Sequence, residues 1–233
     1  MSIAEKLTTI AENEQRVYDS GYDKAYKDEW DKLTNFNKRR FYEYGFYGSG
    51  YDYIRPPYKL ISTSRTLYMF NECRNLKKLE KNYFDLSGTA THNTASNTSS
   101  LYYTFRLCTS LEVIEDIGIP ANSYYYTFGG CSKLHTIEVM RCKKDATYNH
   151  PFNNCPELAN ITIEGEIGNN ISFADCSKLT IESLRSIFSA LYDFVGNGET
   201  TTSTITLHKD AYDRTPEEVI EEAKGKGWSV VVA

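Results

Sequence analysis

Tyr124-Tyr125-Tyr126-Thr127-Phe128-Gly129-Gly130-Cys131-Ser132-Lys133-Leu134-His135-Thr136-Ile137-Glu138-Val139 is the stretch whose reading decides the fold. At its centre stands Phe-x-x-Cys-x-x-Leu, a pattern found five times: Phe70-Cys73-Leu76, Phe105-Cys108-Leu111, Phe128-Cys131-Leu134, Phe152-Cys155-Leu158 and Phe173-Cys176-Leu179. The last four cysteines lie 23, 24 and 21 residues apart (131−108, 155−131, 176−155). Units of that length cannot bury an apolar edge alone, so they point to a solenoid in which neighbours cover one another. Behind the motif, Leu134 to Val139 and Leu158 to Ile163 carry apolar residues at every second place, which predicts short strands with one face inward. The Phe-x-x-Cys part predicts a turn or short helical piece on the opposite side. Its Phe, Cys and Leu are the expected repeat core.

Five of the six cysteines therefore occupy one point of the repeat. In stacked coils they would stand roughly 5 Å apart, one strand spacing. A ladder of buried free thiols fits that geometry better than disulfides or a metal site, because free Cys behaves as a small apolar residue. There is no Cys-x-x-Cys pair, the usual zinc spacing. Cys142 falls outside the motif among polar neighbours and is the expected exposed thiol.

The chain has 233 residues, 40% of them hydrophobic, which suffices for one sizeable core with an appendage. Its net charge of −5 provides no basic field for nucleic acid or an anionic membrane. No apolar run approaches the roughly 20 residues needed to span a bilayer. Met1 to Lys6 has neither the basic nor the apolar stretch of a signal peptide, so the expected location is the cytoplasm of the producing cell. Tyrosine is abundant, at 19 residues.

Residues 1–29 predict a helix. Ser2 and Glu5 form a capping box, and Ile3, Leu7, Ile10 and Val17 form a narrow coiled-coil seam. That seam either packs on its own domain or serves as a stalk for a homo-oligomer through residues 3–17. Residues 30–64, rich in Trp, Tyr and Phe and broken by Gly45, Gly48 and Gly50, read as a linker that caps the open end of the repeats. The repeats span 65–180. Between the first two copies the cysteine spacing widens to 35 (108−73), and the polar stretch Ser87 to Ser100 accounts for the surplus as a loop or polar strand. Residues 181–233 predict a C-terminal α/β cap: an amphipathic helix from Thr180 to Phe194, a strand from Thr204 to Leu207, a helix opened by Thr215-Pro216-Glu217-Glu218, and a strand from Trp228 to Val232.

Phe-x-x-Cys-x-x-Leu followed by an Ile-x-Ile strand resembles the BspA-type leucine-rich repeat over about residues 65–180. The opening Met1 to Leu7, the Tyr47-Gly48-Ser49-Gly50-Tyr51 region before Pro57-Tyr58, and the ending Gly225-Lys226-Gly227-Trp228 look like small repeat proteins encoded in prophages of gut Firmicutes. The resemblance implies an α/β chain, a leucine-rich-repeat-like solenoid of about five short repeats between an N-terminal helix and a C-terminal α/β cap. It implies a bacterial, non-catalytic structural protein of a virion or tail. A bacterial adhesion or protein-interaction module unconnected with phage is the other reading, and an enzyme the remote one. One solenoid serves many partners, so the motif speaks for fold more than for function.

No catalytic, metal-binding or cofactor-binding constellation stands out. His92, His135, His150 and His208 lie in unrelated contexts without ligand spacing. There is no Gly-x-Ser-x-Gly and no phosphate-binding loop. Glu164 and Glu166 flank a strand end and read as a solvated pair. What remains is the residues ahead of each motif Phe: Tyr102 and Tyr103, then Tyr124, Tyr125 and Tyr126, then Tyr148 and His150. In stacked repeats they would form a ladder. Either alternate rings pack inward, or the ladder binds a protein or a cell-surface glycan, for which tyrosine offers flat apolar area and a hydroxyl at low entropic cost.

Overall fold

Successive motifs lie one above the next, like residue over like. The computed structural model describes residues 46–54, 60–61, 66–81, 84–85, 100–116 and 120–233. The N-terminal helix, its coiled-coil seam and all of the polar stretch before Ser100 lie outside them. The strands are β1 (Leu60–Ile61), β2 (Lys78–Leu79), β3 (Phe84–Asp85), β4 (Val113–Asp116), β5 (Thr136–Cys142), β6 (Asn160–Gly165), β7 (Ile171–Phe173), β8 (Ser203–Leu207) and β9 (Trp228–Val232). Among the described residues, three helices, α1 (Ile181–Ser189), α2 (Lys209–Arg214) and α3 (Glu217–Gly225), complete the mixed α/β fold. All pairings among these strands are parallel, in sheets ordered β1-β3, β2-β4-β5-β6 and β7-β8-β9.

Each strand of the four-stranded sheet begins two residues after a motif Leu. Leu79, Ile114, Ile137 and Ile161 come into register across it and are buried. Beyond Ile137 the register shifts: Ile137 faces Ile161 but Met140 faces Ile163, so three residues on β5 answer two on β6. This bulge turns Met140 and Cys142 inward.

Across the core, the Phe-x-x-Cys arc builds a second ladder from residues that are not in a strand. In the arcs of Phe70, Phe105 and Phe128 the N–H groups two before the Phe, at the Phe and two after it donate to the next repeat. Tyr103 N to Tyr125 O (3.0 Å), Phe105 N to Thr127 O (2.9 Å) and Leu107 N to Gly129 O (2.8 Å) are one such set. The residues between them bond back within their own arc, as Thr104 N does to Leu101 O at 3.1 Å and Arg106 N to Tyr103 O at 3.2 Å. This alternation demands left-handed backbone at the position two after the Phe, where Gly48, Glu72, Leu107, Gly130 and Asn154 all have positive φ. For a non-glycine residue that conformation costs roughly 1–2 kcal/mol, offset by the inter-repeat hydrogen bond it releases.

The motif cysteines follow from the same geometry. The thiols of Cys73, Cys108, Cys131 and Cys155 donate to the carbonyls of Phe46, Phe70, Phe105 and Phe128 in the preceding repeat, at 2.8 to 3.1 Å. Only a small side chain with one donor fits, and thiol is the least polar choice. All six cysteines are free and buried. The phenylalanine rings stack as a continuous column, Phe46, Phe70, Phe105, Phe128, Phe152, Phe173, with centroids 4.8 to 5.8 Å apart. Phe46 thus extends the column by one rung beyond the first motif, and Ser49 stands where a Cys would, 3.3 Å from the Cys73 sulfur. Residues 46–54, which the sequence assigns to a linker, belong to the stack.

At the C-terminal side the free edge of β6 is closed by α1. Ser183 Oγ accepts from Ile161 N and donates to Ala159 O, each at 2.9 Å, while Ser186 Oγ accepts from Ile163 N at 2.8 Å. Two serines on one helix face thereby satisfy an exposed sheet edge. Helix α1 starts at Thr180, whose hydroxyl accepts from Ser183 N, and ends at Ser189 rather than at Phe194. It stops because Ile167 takes over the backbone: Ile167 N donates to Ala190 O and Tyr192 N to Ile167 O. Helix α2 is unforeseen by the apolar pattern. Thr215, read from sequence as an N-cap, closes α2 instead, its hydroxyl donating to Ala211 O at 2.9 Å, and α3 starts without a side-chain cap. The Lys144 ammonium sits 3.8 Å above the Tyr192 ring and 2.8 Å from Glu199, tying the polar segment after β5 to the C-terminal strands.

Candidate recognition surface

Ahead of Phe70, Phe105, Phe128 and Phe152 the arc does not alternate in and out: positions −4 and −1 relative to the Phe are buried and positions −3 and −2 are not. Ahead of Phe173, by contrast, the chain is strand β7 with Ile171 buried. Leu101 and Thr104 are buried while Tyr102 and Tyr103 are half-buried; Tyr124 and Thr127 are buried while Tyr125 and Tyr126 are half-buried. The structure therefore divides the expected ladder. Tyr124 (0% exposed) and Tyr148 (4%) are core residues, stacked on each other at 5.2 Å, and do not belong to a binding surface. Their hydroxyls close backbone gaps. The Tyr124 hydroxyl accepts from Ala121 N and donates to Arg141 O; the Tyr148 hydroxyl accepts from Lys143 N and donates to Lys143 O. Removing the first with Tyr124→Phe is expected to cost about 1–3 kcal/mol in a urea melt, since Ala121 N loses its partner in the core. Tyr125→Phe should change stability by less than about 0.5 kcal/mol, and equal effects at the two sites would contradict the division.

Outside, two adjacent columns remain. One runs Tyr68, Tyr103, Tyr126, His150, with neighbouring centroids 5.3 to 5.8 Å apart. The other contains Tyr102 and Tyr125, parallel at 4.7 Å. Tyr103 stands edge-on to both of these rings, at 81° and 86°, and the Arg106 guanidinium lies 5.2 Å over it. Burial holds the Tyr102 phenol above the usual tyrosine range, and its interaction with the Tyr103 hydroxyl does the same for Tyr125. Both are neutral donors through ordinary pH. Tyr68 joins the ladder expected from sequence, since it occupies the same offset before Phe70 that Tyr103 occupies before Phe105.

The columns continue past the tyrosines into shorter side chains. Asn149 and His150 follow Tyr125 and Tyr126; Asn170, three residues before Phe173, comes next in one column, while Ile171, two residues before it, is buried. Where rings give way to amides the surface sinks into an open groove of about 590 Å³, whose far wall is Thr204 and Thr206 on β8. Asn170 Oδ1 accepts from Thr204 N at 2.7 Å and Asn169 Nδ2 donates to Ala146 O at 3.0 Å, which fixes the wall.

Other expected residues fall elsewhere. Cys142, read as the exposed thiol, is 5% exposed because the bulge in β5 turns it inward. Burial pushes its thiol up to about 12. Glu164 is exposed and pairs with Arg141 Nε at 3.2 Å, and the same Arg141 pairs with Asp116. Among the described residues, no three His, Cys, Asp or Glu are grouped to hold a metal ion, and no helix is long and apolar enough to cross a membrane. The chain matches no protein-family model, no curated protein and no solved structure.

Proposed function

We propose that this chain is a non-catalytic structural and recognition protein, a solenoid of leucine-rich-repeat type that presents its two outer columns to a protein or glycan partner. The observation that carries this reading is the cluster of half-exposed Tyr68, Tyr102, Tyr103, Tyr125 and Tyr126 on a spine that has no need of them. Phe, Cys and Leu complete the core, so the outer tyrosines contribute little to it. Tyrosines packed against one another lose little side-chain freedom on binding and suit an interface centre. Association with a phage particle or tail rests on the resemblance of the repeat and of the chain's flanks alone.

The test is a triple variant, Tyr102→Ser, Tyr125→Ser and Tyr126→Ser, compared with the parent for binding to intact bacterial cells and to their isolated walls. Binding is expected to fall by more than about tenfold, since two or more anchor side chains are removed, with a thermal midpoint close to the parent's. Unchanged retention on both materials would dismiss the columns as a recognition surface.

A further inference from the structure

We infer that the groove bounded by Asn149, His150, Asn170 and, on β8, Thr204 and Thr206 seats a neutral carbohydrate chain that continues over Tyr125 and Tyr126; this rests on reading the tyrosine columns as a recognition surface. Size comes first. The groove holds about 590 Å³ within ten lining residues. That volume matches small-ligand sites of roughly 300–1,000 Å³, whereas a protein interface takes about 20–30 residues a side.

Chemistry narrows the ligand further. None of the lining residues is Asp, Glu, Lys or Arg, so neither an anion nor a cation finds a counter-charge. An apolar ligand is disfavoured as well, because it would strip water from amides and hydroxyls without replacing their hydrogen bonds. The side chains of Asn149, Thr204 and Thr206 make no hydrogen bond with another described residue, so they are open to a ligand. Amide and hydroxyl groups both donate and accept, which is what a ring of sugar hydroxyls requires. The buried Ile171 provides an apolar floor. At one end His150 touches the Tyr126 ring at 5.3 Å, so the groove opens onto the aromatic columns without a break. A chain of sugar rings can then place one ring among the Asn and Thr side chains and the next against tyrosine. The wall is held in place before any ligand arrives, by Asn170 on Thr204 N and Asn169 on Ala146 O.

The experiment uses the full chain and titration calorimetry with neutral hexasaccharides of glucose, of galactose and of N-acetylglucosamine, with hexagalacturonate as the anionic counterpart. At least one neutral probe is expected to bind more tightly than about 1 mM, and hexagalacturonate not to bind. Thr206→Val keeps the branched shape that β8 needs and removes only the hydroxyl; with Asn149→Ala it should weaken that binding about tenfold each, at an unaltered thermal midpoint. Absence of binding by every neutral probe overturns the inference, and so does binding that neither substitution affects. The two readings separate cleanly. If the triple tyrosine variant loses its hold on cells while no sugar binds, the columns stand and the partner is a protein. If the groove variants lose sugar binding while the triple variant still holds cells, the groove stands and the tyrosines are bystanders.

Discussion

Phe128→Ala is expected to lower the unfolding free energy by about 3–5 kcal/mol. Phe128 is fully buried in the middle of the ring column, 5.8 Å from Phe105 on one side and 5.4 Å from Phe152 on the other. Truncation removes two stacking contacts as well as the ring's own burial, and neighbouring rings cannot close the gap, because hydrogen bonds on either side of the Phe hold the spacing between repeats. Phe128→Leu, which keeps most of the volume, should cost less than half as much. Urea unfolding followed by far-UV circular dichroism measures both. Each repeat touches chiefly its neighbours, so the alanine variant should also broaden the transition as the stack is weakened in the middle. A loss below about 1 kcal/mol would mean that the column is not closed in solution.

Alkaline pH is the second large perturbation. Burial raises the Cys142 thiol from the ordinary 9.0 to about 12. Below pH 9 the thiol is protonated in both the folded and the unfolded chain, and its stabilising effect is complete. As pH rises through this window the unfolded chain releases the proton and the folded one keeps it, so stability falls by up to about 1.4 kcal/mol per pH unit. The total approaches about 4 kcal/mol by the upper limit of the window. Cys108, Cys155 and Cys176 are raised by burial in the same sense, as are the Tyr124 and Tyr148 phenols. Cys73 differs, lowered chiefly by its interaction with the Cys108 thiol. Urea midpoints should therefore drop steeply above pH 9, and Cys142→Ala should flatten the fall by close to one proton. Parallel pH profiles for the parent and the variant would show that Cys142 ionises as freely folded as unfolded.

The repeat spine is legible in the sequence because its positions are chemically strict: a flat ring to stack, a small donor for a carbonyl, a Leu ahead of each strand. The outer surface is less so. Strand-like alternation would put Tyr125 on one face and Tyr124 and Tyr126 on the other, but the arc turns two adjacent residues out, and only backbone with positive φ does that. Nothing in Tyr103, Tyr126 or Leu107 announces such a conformation. Cys142 misleads through its neighbours Arg141 and Lys143, since the bulge that buries it is invisible in the pattern. Helix α2 is too short for an apolar period. The groove needs Thr204 and Thr206 brought beside Asn170 by the pairing of β7 with β8, a contact between segments more than 30 residues apart.

From Phe46 to Phe152 the spine's bonds repeat from level to level, so the mating faces within that stretch are interchangeable. Toward the next repeat each of these units presents its arc N–H groups and its Phe carbonyl, and the next repeat meets them with arc carbonyls and a thiol. A gene that duplicated or lost one unit would rejoin without a mismatch, and the reading surface would lengthen or shorten by one pair of outer residues. Those two outer positions carry no share of the spine's bonding through their side chains, so they can change letter by letter while the scaffold stays as it is. Under the proposed function, such a chain would follow a changing partner without first having to refold.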